Sequence, residues 1–366
     1  MSAETNQSEP RLRDTLREDF SRGGHWNTFR KEFRGLKEFY IDEEKKKRLN
    51  EMPQLKRWLF LNWWLLKSML MRLTPFRRLV LVVGIVLLVW SPVIIISSKH
   101  VEISDFRLIG GAFILLILML ELKDKLLARD ELGAGKKVQQ ALMPELSPAV
   151  PGWRLWIYSR PANEVGGDLI DFLSHGENRY GVALADVSGK GLQAALIMAK
   201  LQAILEALAP DYDSIGKLIT KLNAIVHRDG LPNSFASLVY AEISSNSGAV
   251  RFVNAGHLPP IVLTAAGLQE MSKGEPALGL MSSTNYTERQ ADLQPGDVFL
   301  VYSDGLTEAS SEWGEFFGTE RLMRRLPALR DRSAEEIGRT LLGEVDYFVK
   351  DAPPNDDISL VILKRV

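Results

Sequence analysis

The chain has 366 residues, 46% hydrophobic and 25% charged, with no cysteine. That length exceeds one typical soluble domain, and the missing thiols exclude disulfides, thiolate nucleophiles and cysteine-bound metal centres. The net charge of −1 is unevenly spread: residues 1–78 hold 18 Lys/Arg against 11 Asp/Glu, residues 79–125 hold 4 of each, and the remaining 23 and 31 give residues 126–366 a balance of −8. An acidic back half argues against a nucleic-acid partner, which would meet a basic face. A basic front ahead of an apolar run fits an anionic membrane surface.

Residues 1–78 read as a basic cytoplasmic region. Its first 50 residues are highly charged and show no functional motif. Residues 58–73 are rich in Trp and Leu, with Lys67 and Arg72 interspersed. That pattern fits an interfacial amphipathic helix or an ordinary helix packed on an anchor. Residues 79–98, LVLVVGIVLLVWSPVIIISS, carry no charge over 20 positions, about what a bilayer core requires; Pro92 is a kink point. A second run, residues 106–122, is shorter and keeps Arg107 and Glu121 near its ends. The expectation is a transmembrane helical hairpin over residues 79–122, its second run marginal as a span, with a buried soluble hairpin as the alternative. Arg77 and Arg78 precede it and Lys123 and Lys125 follow it, which places both flanks in the cytoplasm. The protein then reads as multi-pass in the inner (plasma) membrane with its C-terminal domain in the cytoplasm. The run begins too late for a signal peptide.

Residues 123–145 form a helical linker. Leu122 and Leu126, and Val138 and Leu142, are four apart, a helical spacing. Gly133 and Gly135 interrupt it, and glycine weakens a helix by roughly 1 kcal/mol per site, so a hinge or a break is expected there. The segment pairs with its copy in a homodimer and transmits a signal, or is a passive connector. On the signalling reading, replacing both glycines by alanine changes turnover.

From residue 146 to 366 the pattern changes. Strand-like runs stand at 153–159, 179–186, 235–243, 249–254, 297–302 and 358–364, several alternating apolar and polar residues. Helical stretches lie at 191–208, 214–228 and 334–349. Strands and helices do not alternate one for one, so the class is α+β, with antiparallel sheets and helices packed outside them.

Four acidic motifs stand at strand ends or turns: VGGD ending at Asp168, ADVSGKG containing Asp186, YSDGLTE containing Asp304, and PNDD ending in Asp356 and Asp357. Asp168 and Asp304 adjoin glycine directly and Asp186 has Gly189 close behind; glycine lets backbone approach a ligand closely. Converging carboxylates repel unless a cation lies between them, and oxygen-only donors suit magnesium or manganese. Two such ions bridge a water, lower its pKa and clamp a phosphoryl group.

With these flanks, and with NAGHLPP at residues 254–260, the set resembles the metal-dependent protein phosphatases (PPM, the protein phosphatase 2C fold). The resemblance points to the bacterial branch of sporulation stage II and sigma-regulator phosphatases. It covers roughly residues 140–366 and does not reach the anchor. It implies an α/β/β/α four-layer sandwich of two antiparallel sheets with two Mn2+ or Mg2+ ions in the cleft between them. Matched motif by motif, Asp186 bridges both ions, the Val187 carbonyl and Asp168 serve the second, and Asp304 and Asp356 hold the first. Asp357 fits less well as a direct ligand. The implied activity is release of phosphate from serine or threonine on a phosphoprotein, an anti-sigma-factor antagonist in this branch. The alternative is a membrane-tethered scaffold that binds a partner without catalysis.

Two further groups carry open readings. Arg160 either reaches a substrate phosphate with its planar fork or is an exposed strand residue. His257 either acts as a general acid or stabilises the turn that Gly256 and two prolines enclose. His25, His100, His175 and His227 share no ligand spacing. Ser188–Gly189–Lys190 lacks the glycine of a phosphate-binding loop, Gly133–Ala134–Gly135 lacks the third glycine of a dinucleotide fingerprint, and no serine sits in a GxSxG elbow.

Overall fold

A computed structural model describes residues 52–89, 95–97, 100–102, 106–176, 178–230 and 234–366. The expectations for residues 1–50 lie outside the described residues. The chain divides into two compact units, Met1–Lys125 and Leu126–Val366.

In the first unit, α1 (Gln54–Arg72) and α2 (Pro75–Val89) are joined at a tight corner. Arg78 closes that corner by donating to the carbonyls of Leu70, Met71 and Leu73, at the helix end where carbonyls lack the next turn's N–H groups; Leu70 also accepts from the Leu73 N–H. The expected 20-residue span is not one helix. α2 ends at Val89, and a small antiparallel hairpin follows, β1 (Ile95–Ser97) with β2 (His100–Glu102). The β-branched Ile95 and Ile96 suit β1. The 15 residues of α2 span roughly 22 Å, short of the ~30 Å hydrocarbon core.

α3 runs unbroken from Arg107 to Leu142, 36 residues. It meets α2 where glycine removes side-chain bulk: a Cβ on Gly110 would stand 2.6 Å from the Gly84 carbonyl. Arg77 then ties α2 to α3 through Glu121 and Asp124, at 2.8 and 2.7 Å. The expected interruption at Gly133 and Gly135 is absent. Neither glycine adopts a positive φ, and a glycine penalty of roughly 1 kcal/mol per site is small against the many hydrogen bonds of a long helix. Among the described residues, the segment both long and apolar enough to cross a membrane is Leu192–Asp211, and it is a core helix of the second unit.

That unit is a sandwich of two antiparallel sheets. Six strands order as β10 (Gly267–Glu270), β9 (Ile261–Thr264), β12 (Val298–Tyr302), β13 (Ile358–Arg365), β4 (Trp153–Arg160) and β3 (Ala149–Val150). Five order as β11 (Arg289–Asp292), β8 (Ala249–Ala255), β7 (Ala236–Ser244), β6 (Arg179–Val187) and β5 (Asp168–Ser174). Side-chain alternation builds three cores. On β13, Val361 and Leu363 point between the sheets, where Ile157, Leu184, Phe252 and Phe299 meet. Leu360 and Ile362 point outward, onto Ile337, Leu341 and Val345 of α7 (Ala334–Val349). The outer face of the five-stranded sheet packs Leu169, Ala183 and Ala185 against α4 (Leu192–Leu208) and α5 (Ile215–Asp229). The result is the α+β fold with the expected two sheets. All six strands and three helices read from periodicity are present, with ends shifted by at most one residue.

Candidate metal centre

Asp168 opens β5 and Asp186 stands one residue from the end of β6; in the antiparallel register their Cα atoms are paired. Asp304 begins the single turn α6 (Asp304–Thr307) directly after β12, while Asp356 and Asp357 lead into β13, which pairs with β12. The two turns press together. A Cβ on Gly305 would overlap the Asp357 carbonyl oxygen, and Ser303 Oγ donates to that oxygen at 3.0 Å. On the other side, a Cβ on Gly167 would meet the Val187 carbonyl at 3.3 Å, so both glycines let one backbone segment press against another.

Burial raises the carboxyl groups, and they raise one another. Asp168 is 4% exposed and held well above the usual carboxylate range by burial, then by the charges of Asp186 and Asp357. Asp186 is pushed up to about 6 by burial, then by Asp304, Asp356 and Asp357. Asp304 is raised by burial, then by Glu308 and Asp356. Such reciprocal repulsion requires proximity. Asp168 Oδ2 is buried with no hydrogen-bond partner, a costly state that a cation relieves.

Two carboxylates have other partners. Asp357 accepts from the backbone N–H groups of Ala162, Gly167 and Asp168 at 2.7, 2.6 and 3.2 Å, so it clamps the loop that carries Asp168. Asp356 Oδ1 accepts from the Asp357 N–H at 3.0 Å and Oδ2 from Lys190 Nζ at 2.8 Å. Among the described residues no three His, Asp or Glu side chains stand as a closed cation-binding set. The donor chemistry nonetheless fits a divalent ion: every donor is oxygen, the carboxylates repel one another, and one buried oxygen is stranded.

Arg160 does not face this cluster with a free fork. Its guanidinium is bidentate to Asp346 at 3.2 and 2.7 Å, on one wall of a cleft of about 260 Å³ that Lys350, Asn355 and Asp356 also line. His257 is buried and holds its pKa down at about 4. Its Nδ1 lies 2.7 Å from Ser237 Oγ and its Nε2 3.2 Å from the Tyr302 carbonyl, while Asn254 accepts from its N–H at 2.8 Å and donates to its carbonyl at 3.1 Å. These bonds match the turn-stabilising reading. His175 bonds Tyr240 and His227 the Gly279 carbonyl, at 2.9 and 2.8 Å. Two residues that reach the site carry no site role in the sequence reading: Lys190, which appears there only in the rejected phosphate-loop motif, and Gln139, which is not singled out. A lone glutamine on a helix otherwise read for its apolar spacing gives no signal until the partner backbone is placed.

A family profile described as Stage II sporulation protein E (SpoIIE) matches residues 176–366, more than half of the chain. The chain belongs to the stage II sporulation protein E family. Its second unit carries the phosphatase 2C-like domain of that family, in the sporulation and sigma-regulator branch. The chain is 28% identical to protein IcfG of Synechocystis sp. over 72% of its own length and 46% of that protein's. It is 25% identical to phosphoserine phosphatase RsbU of Bacillus subtilis, over 65% and 70% of the two chains. The SiaA-PP2C domain of Pseudomonas aeruginosa superimposes with a TM-score of 0.57 at 19% identity, covering 66% of this chain and 98% of that one; this likeness shows the fold. The chain thus spans about half the length of IcfG and a larger share of RsbU.

Proposed function

We propose that this family member is a membrane-anchored, metal-dependent phosphatase that removes phosphate from serine or threonine on a cytoplasmic phosphoprotein, an anti-sigma-factor antagonist. The observation that carries the reading is that the charges of Asp304, Asp356 and Asp357 reach Asp186, whose Cα is paired with that of Asp168, and that Asp168 Oδ2 is buried and unpartnered. Relatedness to a phosphoserine phosphatase supports the same chemistry. Asp186 would serve both ions, Asp168 and the Val187 carbonyl the second, Asp304 and Asp356 the first. Manganese or magnesium bound there would supply an activated water and a clamp for the phosphoryl oxygens. Asp357 holds the Asp168 loop through three backbone amides. Ser303 fixes the Asp304 turn against β13.

Anchoring is supported by the first unit, whose helices expose Leu79, Val82, Val86, Val89, Leu108 and Leu118, an apolar surface that soluble proteins rarely leave bare. Exposed Leu122, Leu126, Val138 and Leu142 on α3 support pairing of that helix with its copy.

The test is hydrolysis of p-nitrophenyl phosphate and a phosphoserine peptide by the full chain in detergent, with and without manganese. Release that needs manganese and vanishes in Asp304→Asn is expected. Near-normal release in Asp304→Asn would remove the metal assignment, and failure of the wild type to bind manganese would favour the scaffold.

A further inference from the structure

Lys190 lies at the apex of the loop between β6 and α4, and its loop is built to hold it there. Ser188 anchors the base: its N–H donates to the Phe235 carbonyl and its Oγ accepts from the Phe235 N–H, both at 2.9 Å. Gly189 and Gly191 flank the lysine with φ of 105° and 71°, a left-handed backbone that side chains rarely adopt. A Cβ on either would meet nothing within 4 Å, so glycine serves the bend and not a close approach. The bend delivers Lys190 Nζ to Asp356 Oδ2 at 2.8 Å and to the Asn355 carbonyl at 2.7 Å. Its charge is felt at Asp186 and Asp304 as well, yet the side chain stays more than half exposed.

An acidic centre that receives a phosphate dianion needs cationic contacts on the side from which the dianion arrives. Arg160 is committed to Asp346. Lys190 sits against the carboxylates and remains open to solvent. The loop continues into α4, whose N-cap is Gly191 with no side-chain cap, so its first backbone N–H groups also remain available to an anion.

We infer that Lys190 is a substrate-binding residue that contacts the phosphate of the incoming phosphoserine or phosphothreonine, exchanging Asp356 for it. The inference rests on the phosphatase reading above and assigns to Lys190 the contact expected of Arg160.

The experiment uses the full chain in detergent as wild type, Lys190→Gln and Lys190→Arg. Inorganic phosphate is titrated onto each manganese-loaded protein by calorimetry, and again as an inhibitor of p-nitrophenyl phosphate hydrolysis. Manganese affinity is measured separately, with no phosphate present. Lys190→Gln is expected to weaken phosphate roughly ten- to a hundredfold, the loss of one charged hydrogen bond. Manganese affinity should stay within about twofold, and Lys190→Arg should recover most of the loss. Weaker manganese with unchanged phosphate affinity overturns the inference and makes Lys190 a tie that positions Asp356. No change in either also overturns it, leaving a surface ion pair. A wild type that hydrolyses nothing with manganese removes the phosphatase reading itself, whereas an active wild type whose Lys190→Gln variant binds phosphate equally well removes only this assignment.

Discussion

The side chain of Gln139 and the backbone of Gly166 exchange two buried hydrogen bonds. Nε2 donates to the Gly166 carbonyl at 2.9 Å, and the Gly166 N–H donates to Oε1 at 3.0 Å. Gly166 is two residues before Asp168, and the intervening Gly167 N–H is held by Asp357. The final turn of α3 is therefore wired to the loop that positions a candidate metal ligand. Gln139→Leu strands both backbone groups, each costing about 1–3 kcal/mol when buried unpaired. Manganese-dependent hydrolysis should fall about tenfold or more in this variant, and wild-type rates in a folded Gln139→Leu protein would uncouple the helix from the site.

The second prediction concerns Gly133 and Gly135. Because α3 is continuous through both, replacing them by alanine should strengthen the helix by roughly 1 kcal/mol per site. A Cβ on Gly133 meets nothing within 4 Å, and one on Gly135 touches only Val165 at an ordinary 3.7 Å. The double variant should melt higher and keep its turnover. A large change in turnover would restore a hinge that this helix does not show.

His257 yields a prediction with a sign. Burial keeps its imidazole neutral down to about 4, whereas the unfolded chain takes up that proton near 6.5. Stability contributed by the neutral ring is present above 6.5 and is lost as pH falls toward 4. His257→Gln should flatten the stability profile in that window and lower the melting temperature. The pH dependence of turnover should keep its shape, because the ring holds Ser237 and the Tyr302 carbonyl. A lost limb in the rate profile would revive the general-acid reading.

Asp171 works in the opposite direction. Burial, then the charge of Glu206, pushes it up to about 7, and its Oδ2 has no partner. The folded state keeps this proton up to about 7 while the unfolded chain releases it near 3.8. Its contribution is fully present at low pH and is lost as pH rises through that window. Asp171→Asn should be more stable than wild type at alkaline relative to mildly acid pH, by on the order of 2 kcal/mol. Denaturant titrations on both sides of neutrality measure the difference, and parallel profiles would contradict it.

The residue pattern alone located β4, β6, β7, β8, β12 and β13 and the helices at Leu192–Leu208, Ile215–Asp229 and Ala334–Val349, because each is an apolar-rich run long enough to show strand or helix character, whether it alternates or, like β12 and β13, is covered on both faces. Of the sandwich strands that escaped, β3 has two residues and β9 to β11 four each, too short for a pattern to repeat. β5, seven residues, escaped because Asp168 and Asp171 interrupt its apolar run. The candidate aspartates were also legible, since short acidic motifs such as GGD and SDG at strand ends are local features.

The amino-acid sequence thus determined the class of fold, the order of its main elements and the identity of the acidic residues, all of which depend on neighbours along the chain. Tertiary structure decided how those residues are used. It turned Arg160 onto Asp346, gave Asp357 to backbone amides, brought Lys190 to Asp356 from 166 residues away, and set Gln139 against Gly166. Each of these is a choice among partners distant in sequence, settled by burial and hydrogen-bond satisfaction that no local pattern encodes.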